Sequence, residues 1–471
     1  MILNRKAATP ALPAGRLWAG VPVIATSLVL LGATAQAAPG TLEYTFADAH
    51  PGPDTSATGF PLFSNGGLSE FNAKGQALIT SRTVDTGFWE DESHLYLSDP
   101  RDGATEVEPL GGWDEPWGRE EYVLGGQLND RGQVAGTSTT DATGEFHAYL
   151  WSASDGSVDL GTLGGTSSAS AAINDRGQVA GTARTAAGDL HAFHWDSRTG
   201  MTDLGTLGGT SSSVSDMNNR GQVVGVSETA SGERHVFIWD ARRGMTDLGV
   251  VYGSSLFRPL DVNERGQVVG VAGTTPSERE GFFWDRRSGV MDLGTVVYPR
   301  YWYQGVLFLN NAGQVAGTRI TGSGESHAFR WHARTGMTDL GTLGGDSSQA
   351  QALNARGQVV GSAQTASGES HAFAWHSRTG MVDLDPVGGR DSYAVALNNR
   401  GRVAGTFTTG CEDGPWACGA FAWGRRAGLV ELGGQGTNAR SIDRAGRVLG
   451  AWDSDNSETA GRAAIWTPGR S

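Results

Sequence analysis

Hydrophobic and polar positions recur in one fixed order along nearly the whole chain, and the copy from His191 to Gly225 carries the pattern in full. Aligned on the turn Asn-x-x-Gly, copies stand at Asn72, Asn129, Asn174, Asn218, Asn263, Asn310, Asn354 and Asn398, with Asp443-Arg444-Ala445-Gly446 as a shifted ninth. The spacing after the first interval is 44 to 47 residues, and the first interval, 57 residues, holds an insertion. Each unit reads as four short strands. Ser213 to Met217 leads into Asn218-Asn219-Arg220-Gly221, where Asn in first and Gly in fourth place suit a type I turn in a hairpin. The run from Gly221 to Ser227 mixes β-branched residues with Gly and forms a second strand. Glu233 to Trp239 alternates His235, Phe237 and Trp239 on one face, the period of a third strand, and Met245 to Leu248 supplies the fourth. No segment of helical period interrupts the repeats.

A period in the forties with four strands per unit predicts an all-β fold, a β-propeller of eight or nine four-stranded blades. Nine units are countable, and the irregular first one is the unit expected to fall short of a full blade. The ninth has its third strand, Arg462 to Trp466, but no fourth before Ser471. Thr41 to Phe46 is strand-like and has no unit of its own, so it is expected to complete the last blade and close the ring without a long unpaired edge. Residues 38–471 then form a single propeller domain.

Three anchors recur together: H-A-F-x-W, as in His191-Ala192-Phe193-His194-Trp195; G-M-x-D-L-G-x-L-G-G, as in Gly200 to Gly209; and N-x-x-G-Q-V-x-G, as in Asn354 to Gly361. This combination resembles the HAF repeat of bacterial extracellular repeat proteins over roughly residues 60–470. Departures occur at Glu280-Gly281-Phe282-Phe283-Trp284, where the His is lost, and at Cys418 to Trp423. The resemblance implies export and repetition but no established activity, so it carries no catalytic residue over to this sequence.

Composition changes the picture at the N-terminus. Arg5, Lys6 and Arg16 precede an apolar run from Val21 to Leu31 that ends at Ala35-Gln36-Ala37. Residues 1–37 therefore read as a secretory signal peptide cleaved near Ala37, with a short membrane anchor as the alternative. A secreted, extracellular monomer follows. The 71 glycines fall at fixed repeat positions and signal tight turns. Only two cysteines occur, Cys411 and Cys418; in an exported chain they are expected to pair, a bond that closes a small loop and stabilises by roughly 2–3 kcal/mol. They lack the neighbours a metal site needs. The net charge of −14 argues against a nucleic-acid partner.

His147, His191, His235, His327 and His371 open third strands, and Asp159, Asp203, Asp247, Asp292, Asp339 and Asp383 sit in fourth strands. An active site needs one copy of its chemistry, whereas a blade needs one copy per blade, so these are read as structural, like the tryptophans ending the third strands. Arginines crowd the other turns, among them Arg131, Arg176, Arg220, Arg198, Arg242 and Arg243, and would polarise one face of the disc. Residues that break the repeat point elsewhere. Trp89 and Glu92, then Trp113, Glu115, Trp117 and Glu120, then Tyr301, Trp302 and Tyr303, and finally Trp416 lie in insertions between second and third strands or between blades. Both connections emerge on one face. Flat aromatics beside carboxylates suit a glycan or protein partner, so the expected function is non-enzymatic binding. A polysaccharide hydrolase or lyase using Glu92, Glu115 and Glu120, or a structural or adhesive surface protein, are the alternatives. No metal site or cofactor is expected.

Exported protein alkylated without reduction should keep both Cys411 and Cys418 unlabelled and begin near residue 38, read by mass spectrometry; labelling of both thiols would exclude the pairing.

Overall fold

The computed structural model describes residues 44–48, 71–84, 91–111, 124–140, 145–249, 256–273, 279–297, 307–385, 391–408, 419–433, 436–452 and 462–469. Nine antiparallel sheets follow one another in chain order as the blades of a β-propeller. Blade four shows the plan: Gly208–Met217, Val223–Thr229, Arg234–Asp240 and Gly244–Asp247 pair in sequence. First strands of neighbouring blades approach one another around the central channel, and the four-residue fourth strands form the rim. Such short outer strands offer little edge for pairing with another chain. Eight sheets have four strands. The first has three among the described residues, Ala77–Val84, Asp91–Asp99 and Gly103–Glu106, with Phe71 bridging to Ala77, in line with its irregular sequence. No helix among the described residues is long and apolar enough to cross a membrane.

The ring closes as the repeat count requires. Tyr44–Asp48 pairs with Arg462–Pro468, Tyr44 opposite Pro468 and Phe46 opposite Trp466, and so becomes the outer strand of blade nine. Within the described residues the closing strand is Tyr44–Asp48, overlapping the expected Thr41 to Phe46. First strands also extend further than the alternation suggests. In blade four, Gly208 pairs with Thr229 and bulges interrupt the ladder on the way to Met217, so the glycine-rich link is drawn into the sheet.

Apolar packing joins blades as well as filling them. Each of eight buried clusters draws on two neighbouring blades. Leu204 and Ala192 of blade three, for example, pack with Met217, Phe237 and Trp239 of blade four. Each fully buried Phe contributes roughly 1.5–3 kcal/mol. Glycine makes room for it: a Cβ on Gly225 would stand 1.9 Å from the Ser213 carbonyl oxygen and 2.8 Å from the Phe237 ring.

The Asn-x-x-Gly turn explains its own recurrence. Gly221 has φ of 77°, a left-handed conformation, and its N–H donates to the Asn218 carbonyl at 2.9 Å. The Asn218 side chain accepts from the N–H groups of Arg220 and Gln222, both at 3.0 Å. Its amide donates to Gln222 Oε1 at 2.8 Å and, in the next blade, to the Asn263 carbonyl at 2.8 Å. The same inter-blade bond runs from blade one to blade nine. Blade nine carries Asp443, which has no amide to donate. Arg447 takes over: its Nε donates to Asp443 Oδ2 at 2.7 Å and its Nη2 to the Gly75 carbonyl of blade one at 2.9 Å, with the guanidinium 5.3 Å from the Phe71 ring.

Arg447→Ala would strand the buried Asp443 carboxylate and should cost roughly 3–5 kcal/mol in urea unfolding, whereas the double change Asp443→Asn with Arg447→Gln, which restores the pairing of the other blades, should stay close to the parent. Equal losses in both would refute this account of closure.

Candidate functional site

The repeated histidines meet their aspartates within each blade. His147, His191, His235 and His327 place Nδ1 2.9–3.0 Å from the carboxylates of Asp159, Asp203, Asp247 and Asp339, and His371 places it 2.8 Å from Asp383. Each of the first four aspartates also accepts the N–H of a following glycine, as Asp247 does from Gly249 at 2.7 Å. Blade five lacks the histidine yet keeps the cap, Asp292 accepting from Gly294 at 2.7 Å. The aspartate shapes a turn and the histidine braces it, as the repetition implies.

Several of the turn arginines are also engaged within the scaffold. Arg131 and Arg265 donate to main-chain carbonyls of the next blade, Arg176 at 3.2 Å and Ala312 at 3.3 Å. Asp196, within hydrogen-bond reach of the Arg198 main-chain N–H, the Gln178 amide and the Arg198 side chain, is held down at about 2. Gln178 joins the first turn of its blade to Asp196 in the last at 2.9 Å, which places both turns on one face.

On that face the channel opens into a cavity of about 530 Å³, lined by the asparagine turns and by Asp130, Asp261, Glu264 and Arg444. A second relay runs along part of its rim, from blade two to blade six. The N–H of Asp130 donates to Asp175 at 2.8 Å, that of Asp175 to Asn219 at 2.7 Å, that of Asn219 to Glu264 at 3.0 Å, and that of Glu264 to Asn311 at 2.9 Å.

One feature of the channel wall breaks the repeat. Two residues before the turn, blades three, seven and eight carry Ala172, Ala352 and Ala396 and blades two, six and nine carry Gln127, Phe308 and Ser441, whereas blades four and five carry Asp216 and Asp261. These carboxyls hydrogen-bond to each other across the blade boundary, and Asp216 Oδ2 also accepts the Val262 N–H at 3.0 Å. Desolvation raises both; the Asp216 charge adds to it at Asp261, which is pushed up to about 7. Each keeps part of its surface open to the channel, which tempers the desolvation but not the repulsion between like charges. With Asp261 raised to about 7, its carboxyl is still partly protonated at neutral pH. The rule that off-repeat residues mark function would have found it, but two aspartates one repeat apart carry no local motif.

Of the residues predicted for the site, Trp89, Trp113, Glu115, Trp117, Glu120, Tyr301, Trp302, Tyr303 and Trp416 lie outside the described residues, as do Cys411 and Cys418. Glu92 has its backbone opposite Thr83 in blade one. The described strand ends flanking residues 85–90, 112–123, 298–306 and 409–418 all lie on the face opposite the asparagine turns, because antiparallel order brings second-to-third and blade-to-blade connections to the same side.

Comparison with known protein families and with curated proteins finds no match. Among solved structures the chain is similar to TolB from Acinetobacter baumannii, at 14% identity over 54% of this chain and 61% of that one, with TM-score 0.33. It is also similar to dipeptidyl peptidase 4 from Porphyromonas gingivalis, at 9% identity over 79% and 62%, TM-score 0.49. A third is the β-propeller domain of the Trilobed protease from Pyrococcus furiosus, at 10% over 68% and 98%, TM-score 0.38. The chain thus spans less than two thirds of the length of the first two. At such identities and TM-scores these likenesses carry no chemistry across.

The folded state holds Asp261 protonated to about 7, while an unfolded Asp titrates near 4 (roughly,). The raised value contributes stability that is fully present below the unfolded value and is lost as pH rises through the folded one. Asp261→Asn should therefore gain Tm over the parent between about pH 5 and about pH 8; a gap that stays constant across that window would exclude the protonated Asp261.

Proposed function

We propose that this chain is an exported propeller of HAF-type repeats, a non-catalytic module that binds an extracellular glycan or protein through the aromatic and acidic segments of its insertion face. The observation that supports the reading is the common origin of those segments: the strand ends flanking all four stand on one side of the disc. Five tryptophans outside the repeat, Trp89, Trp113, Trp117, Trp302 and Trp416, belong to that side in sequence. Stacking area from indole and hydrogen bonds from Glu92, Glu115 and Glu120 are what a polyhydroxylated ligand needs. The repeated polar groups are meanwhile committed to turns and blade contacts, which leaves recognition to the variable segments.

The enzyme alternative has one observation in its favour, the Asp216–Asp261 pair, whose raised values are the sort found at sites of proton transfer. It places the acid and base in the channel, away from Glu92, Glu115 and Glu120. Polymer cleavage by the parent that is abolished in Asp216→Asn and in Asp261→Asn would favour it over binding.

For the binding reading, purified residues 38–471 should retain glycans or cell-wall polymers on an array, and a Trp113, Trp117 and Trp302 to Ala variant should lose most of that retention. Equal binding by the two proteins would rule out the insertion face.

A further inference from the structure

The face that carries the asparagine turns is charged unevenly from blade to blade. In blades one to five its basic residues stand beside carboxylates. The outer turn, between third and fourth strands, opens with Asp99, Asp196, Asp240 and Asp285 in blades one, three, four and five. The inner turn, between first and second strands, carries Asp130, Asp175 and Glu264 in blades two, three and five. Asp196 accepts from Arg198 Nε at 3.2 Å, and Asp240 lies 3.5 Å from Arg243 Nη1. In blades six to nine these carboxylates are gone. His332, His376 and Gly424 open the outer turns of blades six, seven and eight, and Asn311, Ala355, Asn399 and Arg444 follow the first residue of the inner turns. Among the described residues Asp443 is the only carboxylate left in these turns, and it is buried and paired with Arg447.

The arginines stay. Arg356, Arg400 and Arg444 form an inner arc near the channel mouth, and Arg334, Arg378, Arg425 and Arg426 form an outer arc toward the rim. All seven are exposed, and among the described residues none of their side chains makes a hydrogen bond or an ion pair. Arg402 adds a further charge where blades one to seven carry Gln, and its Nη1 donates to the Ala445 carbonyl of blade nine at 3.3 Å. Burial, and then the charges of Arg334, Arg330 and Arg265, hold the His332 imidazole below its usual range, as positive charge without an offset does to a neighbouring base.

Folding does not account for the difference, because the turns close in both sectors. In blades one, three, four and five the opening aspartate accepts the N–H two residues on, from Arg101, Arg198, Arg242 and Arg287, at 2.8–3.0 Å. In blades six and seven His332 and His376 accept the same N–H through Nδ1, from Arg334 and Arg378, both at 3.1 Å. In the inner turns the Asn399 amide oxygen accepts the Ala355 N–H at 2.9 Å, just as the Asp175 carboxylate accepts that of Asp130 at 2.8 Å. A neutral acceptor thus replaces a carboxylate while the turn is kept, so the loss of negative charge is separable from the scaffold.

We infer that the asparagine-turn face of blades six to nine is a docking surface for a bilayer rich in anionic lipid. The guanidinium groups are spread over two arcs and four blades at one end of the strands, which covers an area and not the line that a single polymer chain would follow. No aromatic side chain stands in these turns, so nucleic-acid bases and sugar rings find no stacking surface there. Lipid phosphates suit the planar fork of arginine, which can donate two N–H groups to one phosphate. With no large apolar side chain in the turns, the contact is peripheral and electrostatic. The net charge of −14 does not prevent it. Strands of seven residues hold the opposite face about 23 Å away, beyond two screening lengths of about 8 Å at physiological salt. The inference goes beyond the proposed partner binding, which uses the opposite face, and does not depend on it.

Purified residues 38–471, which hold every strand of the propeller, should sediment with vesicles of equal parts phosphatidylglycerol and phosphatidylcholine at low salt. They should not sediment with phosphatidylcholine alone, and salt raised to about 0.5 M should release them. Arg356→Gln, Arg400→Gln and Arg444→Gln together should weaken vesicle binding roughly 100-fold, about fivefold for each charge at the surface, while circular dichroism and Tm stay unchanged. Lysine at the same three positions should keep most of the binding. Arg176→Gln, Arg220→Gln and Arg242→Gln together remove the same charge from exposed residues of blades three and four, and this variant should bind nearly as the parent does. Equal losses in the two glutamine variants, no sedimentation of the parent with the anionic vesicles, binding that survives high salt, or tighter binding to soluble polygalacturonate than to the vesicles would each overturn the assignment.

Discussion

The structure depends on one hydrogen bond made over and over: the side-chain amide of a buried asparagine donating to the main-chain carbonyl of the same turn in the next blade. That side chain already accepts two main-chain N–H groups and bonds a glutamine four residues on, so its rotamer and the turn are set together. A buried polar group left without its partner costs roughly 1–3 kcal/mol, so the relay constrains both the angle and the spacing between blades. Where the chain must meet its own start, the donor changes from an amide to the longer guanidinium of Arg447, which reaches Gly75 and is itself paired with Asp443.

Around this relay the apolar core is built between blades. No single blade encloses its Phe and Trp side chains; each cluster is finished by the neighbour. The ring is thus stable as a whole, and strand pairing between the two ends of the chain matters because it protects the blade that would otherwise expose an edge.

Repetition divides the chemistry. Histidine–aspartate contacts and serines that stitch one blade to the next, such as Ser212 accepting the Ala192 N–H at 2.8 Å, recur because they serve the scaffold in the blades that carry them, and Arg131 and Arg265 likewise bond the next blade. Chemistry that the scaffold can do without is found by comparing blades: alanine against aspartate at the channel wall, or aspartate against histidine in the outer turns. Both comparisons use the protein's own repeats as the reference.

The sequence by itself determined the all-β class, the repeat unit, the closure by an N-terminal strand and the structural character of the recurrent His and Asp. These follow from local signals, a turn residue at a fixed place and a period of two along a strand, which need no knowledge of neighbours. Only the tertiary structure decided that the glycine-rich links join the first strands, that each asparagine bonds the following blade, and that Asp216 meets Asp261. Those contacts join residues a whole repeat apart or, in the link, bend a glycine-rich segment onto a partner strand. Nothing in the local pattern of hydrophobic and polar positions encodes which residues the turn of the disc brings face to face.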